Sequence, residues 1–288
     1  MPNLRMLRRR IASVKNIQQV TNAMRMVAAA RMRRSQENMM ASRPYSRKMG
    51  ALMRHVVSLA DQGDHPLLIE RELRHVCLVV LTGDRGLCGS FNSNVIRRAV
   101  QQGRSYQEQG VDVSLVCVGR KGRDFFARRG YTILGEHLNI FDHLGFHHAQ
   151  AIVREILYIY TQLEVDRVEV VYNEFKSVLQ QNLVCTQFLP VVPEAPDREK
   201  GFTDYLYEPS QKELLDELLP RHMNVQMWQT LLESNASEQA ARMTAMENAT
   251  KNAGELVDSL TLARNKVRQA TITREIAEIV GGAEALKG

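Results

Sequence analysis

The chain has 288 residues, 44% hydrophobic and 24% charged, which excludes a disordered polymer and leaves room for one large domain or a globular domain with an extended element. No uninterrupted apolar run approaches the roughly 18 residues needed to cross a bilayer, and Cys77, Cys88, Cys117 and Cys185 form no CxxC pair and read as reduced, buried cysteines of a cytosolic-type compartment. The net charge of +6 is uneven: up to Ala60 thirteen bases face one acid, Glu37, so this end carries +12 and the rest −6, as suits an acidic partner.

From Leu4 the apolar positions Leu7, Ile11, Val14, Ile17, Val20, Met24 and Val27 recur at helical spacing, and Ala28, Ala29 and Ala30 favour helix, so a helix is predicted to at least Ser42. Pro44 removes a backbone donor and is predicted to bend or interrupt it, after which Met49, Leu52, Met53, Val56, Val57 and Leu59 resume the stripe. The opening MPNLRMLRRRIASV is Arg-rich and amphipathic, as organelle presequences are, but the helical pattern continues past any plausible cleavage point.

The middle has a different texture. HVCLVVL (75–81) is a continuous β-branched run, as expected of a strand buried on both faces of a parallel sheet. A Gly-rich turn, a helix through Val95, Ile96, Val100 and Tyr106, and a second strand at 111–118 follow. A short helix at 121–129, a minor strand at 131–134, a helix at 146–163 and strands at 168–172 and 184–188 complete an alternation that predicts a small Rossmann-like α/β domain with a largely parallel sheet. Pro190, Pro193, Pro196 and DREKG mark a linker, and DYLYEP (204–209) is a loop with two aromatics.

Helix returns at 214–219. Within the stretch 231–286, Met246, Ala249, Ala253, Leu256, Leu260, Ala263, Val267 and Ala270 step by three and four, the register that winds two helices together with a left-handed twist. Arg242, Lys251, Asp258, Arg264, Lys266, Arg268 and Glu278 fall on the remaining faces, and Gly281-Gly282 is predicted to end the helix. Some 50 residues of helix make a rod of roughly 75 Å, which needs a seam partner. The fold class is therefore α/β: an antiparallel coiled coil of long N- and C-terminal helices plus the central domain, divided as 1–62, 74–192, a linker at 193–210, and 211–288.

Three features bear on chemistry. The turn TGDRGLCGSFN (82–92) sits between strand and helix, where phosphates are often cradled, but its GxxGxxG spacing matches neither the dinucleotide nor the Walker pattern. It reads as a tight structural turn with Arg85 available to an anion. His137, His143, His147 and His148 cluster ahead of a helix without HExxH or a nearby cysteine, the pattern of a solvated helix start rather than a metal site. No Ser, His and Asp arrangement has recognisable motif spacing, so no catalytic, cofactor-binding or metal residue is assigned. On the residues alone, a nucleotide-binding α/β protein and a basic coiled-coil nucleic-acid-binding protein remain alternatives.

The segment ITREIAEIVGGAEA (272–285) resembles the C-terminal signature of the gamma subunit of F-type ATP synthases. IASVKNIQQVT (11–21) with Ala23, Met24 and MVAA (26–29) is similar to that family's first helix, and DRGLCG (84–89), DYLYEP (204–209) and SEQAARM (237–243) match in order. One departure is Gly83, where the family commonly has serine, and the cysteine insert of chloroplast relatives is absent. The resemblance implies a non-catalytic central-stalk rotor, peripheral to the cytoplasmic face of a bacterial inner membrane. It implies as partners the alpha and beta subunits of the F1 hexamer, the epsilon subunit and the c-ring, with neither cofactor nor nucleic acid. It further implies that Met24 and Arg25 lie near acidic loops of the catalytic subunits and Arg268 and Gln269 near a loop that responds to catalytic-site opening. Ile276, Ile279, Val280, Ala283 and Leu286 would fill an apolar bearing, and Tyr205 and Tyr207 would lie in a foot.

Overall fold

The computed structural model describes residues 4–58, 65–178, 180–192 and 211–285. It divides into two units, Met1–Ala28 with Met243–Gly288, and Ala29–Arg242.

In the larger unit the apolar runs become a five-stranded sheet of β1 (His75–Leu81), β2 (Asp112–Val118), β3 (Ile133–His137), β4 (Arg167–Phe175) and β5 (Gln181–Leu189), in the order β3-β2-β1-β4-β5. The first four strands are parallel and β5 returns antiparallel to β4. Every residue of β1 after His75 is buried, because both faces are covered. Helices α2 (Phe91–Gln107) and α3 (Arg120–Ala127) cover one face, with Val95, Ile96, Ala99, Tyr106 and Phe126 packed on Val76, Leu78 and Val80. On the other face α4 (Phe146–Gln162) packs through Ile152, Ile156 and Ile159. Two long helices join that layer: α1 (Leu4–Ser58) through Met49, Met53 and Val56, and α5 (Gln211–Ala285) through Leu215, Leu219, Met223, Met227 and Leu231. In this unit Asn235 Nδ2 donates to Ser35 Oγ at 3.0 Å, and Met39 clusters with Leu232 and Ala236.

In the smaller unit the same two helices form an antiparallel coiled coil. Ile11 and Val14 pack with Ala253 and Val257, while Thr21 Oγ1 lies 2.8 Å from Thr250 Oγ1, so rising numbers on α1 meet falling numbers on α5.

Three sequence expectations are corrected, and of the bend or interruption expected at Pro44 the interruption is absent. Pro44 neither ends nor splits α1, which runs to Ser58. Its ring is solvent-exposed while Met39, Met49 and Met53 beside it are buried, and their packing offsets a cost of about 3 kcal/mol for the lost hydrogen bond. Gly281-Gly282 likewise lies inside α5, which has 75 residues rather than 50. The seam is also shifted. On α1 the inward positions after Val14 are Gln18, Thr21, Arg25 and Ala28, leaving Ile17, Val20 and Val27 exposed. On α5 they are Met246, Thr250, Ala253 and Val257, leaving Leu256 and Ala270 outside, with Leu260 half-buried beside the core. Thr21 and Thr250 satisfy each other across the seam, and at Gly254 an added Cβ would come within 3.0 Å of Gln18 Nε2. Close packing of Ile11, Val14, Ala253 and Val257 fixes a seam too narrow to take Ile17 or Leu256 as well. Last, Arg242, expected on an outward face, has 11% of its side chain exposed and is paired with Glu238.

Candidate functional site

Strand order reverses at β1, so the turns following β1 and β4 flank the crevice in which parallel α/β sheets usually hold a ligand. Here the crevice is filled by α5. Ser237 Oγ donates to the Asn173 carbonyl at the end of β4 at 3.0 Å, and the Glu238 carboxylate lies against Gly83, where an added Cβ would meet Oε1 at 2.6 Å. Arg242 donates to Glu238, to Gln239 Oε1 at 3.0 Å and to the Gly86 carbonyl at 3.5 Å.

Hydrogen bonds pin the 82–92 turn to itself and to the elements beside it. Gly83 N–H donates to Asn92 Oδ1 at 2.8 Å, and Asp84 Oδ1 accepts from the backbone N–H of Arg120 at 3.0 Å and of Asn139 at 2.8 Å. Thr82 Oγ1 accepts from Gly122 N–H at 2.8 Å, and Gly119, at φ 93°, is where any Cβ would strike the Thr82 carbonyl at 1.9 Å. Arg85 pairs with Asp142 at 2.8 Å, and Asp142 also takes Arg31 of α1 at 3.3 Å. The Glu238–Arg242 pair thus occupies the place where a phosphate would lie, and the nearby Arg85 is already paired. Burial pushes the Glu238 carboxyl above its usual range, opposed by Arg242.

The histidines are divided among separate contacts. His137 Nε2 is 2.6 Å from Glu155, Gly145 N–H donates to His148 Nδ1 at 3.1 Å, and the His147 ring stacks on His148 at 3.9 Å. Burial, then His147, lowers the His148 pKa. Among the described residues no group of His, Cys, Asp and Glu is placed to hold a metal. All four cysteines are free, and burial raises the Cys77, Cys117 and Cys185 thiols to about 12, far from nucleophilic.

The partner-contact candidates do not converge on one site. Met24 and Arg25 are half-buried on α1, where Arg25 donates to Asn22 Oδ1 at 3.1 and 3.3 Å. Arg268 and Gln269 are exposed on α5, eighteen residues or more beyond Thr250, hence roughly 27 Å along the axis from the level of Thr21. Ile276, Ile279 and Val280 are 56%, 71% and 55% exposed on one face, an apolar patch with no cover among the described residues. Tyr205, Tyr207 and Leu286 lie outside the described residues. Sequence reading missed Leu262, 64% exposed, and the outward stripe of Ile17, Val20 and Val27. An excess of apolar residues over what one seam can hold is the signal that would have found them.

A family model described as ATP synthase matches residues 3–286. The ATP synthase gamma chain of Chlorobium phaeobacteroides is 47% identical, with 100% of both chains covered. This chain belongs to the ATP synthase gamma chain family. A solved chain from the central stalk and c-ring of the Tetrahymena thermophila mitochondrial ATP synthase is 26% identical with a TM-score of 0.60, covering 80% of this chain and 99% of that one. A chain from the Euglena gracilis mitochondrial enzyme, at 23% identity and TM-score 0.69 over 98% of this chain and 94% of that one, shares the fold. A gamma chain is the central-stalk subunit of ATP synthase and carries no catalytic site of its own. It belongs to a membrane-associated complex, and no described helix here is long and apolar enough to cross a membrane.

Proposed function

We propose that this gamma chain turns inside a hexamer of alpha and beta subunits and is driven, together with an epsilon subunit, by a c-ring at the cytoplasmic face of a bacterial inner membrane. Residues 1–62 and 211–288 form the shaft, 74–192 the α/β domain, and 193–210, with Tyr205 and Tyr207, the linker and foot. Met24 and Arg25 meet acidic loops of the catalytic subunits, and Arg268 and Gln269 meet a loop that follows catalytic-site opening. Ile276, Ile279 and Val280 sit in an apolar bearing.

The observation that carries this reading is that apolar patch on α5. Exposed isoleucines on a helix are unfavourable in water by roughly 1.5–3 kcal/mol each relative to burial, and a socket that contacts them without interlocking lets the tip rotate. Tagged chain isolated from its native membranes should bring down the nucleotide-binding hexamer, the epsilon subunit and the c-ring; repeated recovery without them overturns the proposal. Ile276→Asp with Ile279→Asp should leave the isolated chain folded and reduce its retention in the complex.

A further inference from the structure

We infer that Glu238 and Arg242 are positioning residues, a lock that fixes the part of α5 up to Arg242 in the sheet crevice so that the α/β domain and this part of the helix turn together. The inference rests on the rotor reading above.

The lock has three parts. The Glu238 side chain is 5% exposed and that of Arg242 11%, and they pair one helical turn apart. Such a pair on a helix surface is usually solvated; here it is driven into the sheet. Gly83 gives it room, since an added Cβ there would come to 2.6 Å from Oε1 and the carboxylate would have to shift. Arg242 then reaches the Gly86 carbonyl, and Ser237 the Asn173 carbonyl, so the turn after β1 and the end of β4 are both tied to one turn of α5. Asp142, held between Arg31 and Arg85, joins α1 to the same turn.

Buried ion pairs are poor sources of stability compared with apolar packing of the same volume, and their best-attested use is to fix register. Apolar packing holds a helix by shape and tolerates repacking in a neighbouring register. A charge pair that must keep specific partners does not. A part that transmits rotation needs the second property more than the first.

The test uses the assembled ATP synthase with a probe bead on the α/β domain, recording angular spread during catalytic dwells alongside ATP hydrolysis and ion pumping per ATP. Glu238→Gln and Arg242→Gln should each widen the spread at least twofold and lower pumping per ATP, with hydrolysis within twofold of the unaltered complex. Arg242→Lys, which keeps the charge, should recover part of the loss. The double replacement Glu238→Met with Arg242→Leu separates lock from mere stability: the melting temperature should hold or rise while the spread still widens. An unchanged spread in the double variant and in Glu238→Gln overturns the lock and leaves the rotor reading intact. If the bead on the unaltered chain does not rotate with ATP, it is the rotor reading that fails.

Discussion

The same two helices are built on different terms in the two units. In Ala29–Arg242 they carry Met49, Met53, Leu215, Leu219, Met223 and Leu231 against a sheet and a third helix, so large apolar side chains are inside. In the other unit the described core is Ile11, Val14, Ala253 and Val257 with Leu260 beside it, while Ile17, Val20, Val27 and Leu262 point outward. One stretch is stabilised by its own interior. The other has a narrow seam of Ile11, Val14, Ala253 and Val257, with the Thr21–Thr250 contact beside it, and leaves several large apolar groups exposed. Amphipathic sequence thus has two uses in one helix, and only the partner decides which face is the buried one.

The larger core is the more sensitive of the two regions. Leu219→Ala should cost about 2–5 kcal/mol, read as a lowered midpoint in urea unfolding of the purified chain; a loss below about 1 kcal/mol would mean that α5 does not depend on the sheet layer. The seam is tested next. Val257→Asp places a charge among Ile11 and Val14 and should cost about 3 kcal/mol, whereas Leu256→Asp, on an exposed position, should stay within about 0.5 kcal/mol. Equal melting losses for the two would refute the register.

A smaller effect is pH-dependent. Glu233 on α5 is raised to about 7, by burial first and then by Glu174, with Arg43 and Lys176 opposing. The Tyr172 phenol is pushed upward as well, by burial first and then by Glu233 and Glu174. Between the ordinary glutamate pKa and about 7 the folded chain holds more protons than the unfolded one, so this contribution is present in acid and is lost as pH rises through about 7. Glu233→Gln should therefore raise stability at pH 8 by about 1–2 kcal/mol and change it little at pH 5, as followed by thermal melts. A uniform shift at both pH values would remove the assignment. Smallest in stability is Arg268→Ala, expected within about 0.5 kcal/mol because the side chain is exposed. Its effect belongs to coupling, a fall in ATP synthesis by the assembled complex, and unchanged synthesis would end the proposed contact.

The sheet is legible because its physics is local. HVCLVVL reads as a doubly covered strand and is β1 over the same residues. The third strand is displaced from 131–134 to Ile133–His137 because an edge strand tolerates Glu136 and His137, which pattern reading rejects. The coil's existence is legible in its three-four spacing; its register is not, since Gln18, Thr21 and Thr250 look like surface residues until the opposite helix supplies partners. Arg242 reads outward for the same reason, as nothing in its spacing from Glu238 reveals a crevice waiting for both. Of the contact candidates, the apolar character of Ile276, Ile279 and Val280 is visible in sequence, but their lack of cover is visible only in three dimensions.

Gly281 and Gly282 stand in the last turns of α5 with nothing near the space a Cβ would take. Each is less favourable in a helix than alanine by about 1 kcal/mol, and no packing repays it. The helix therefore has weak intrinsic support just after Val280, and its last turns hold their helical form more loosely than an alanine-built end would.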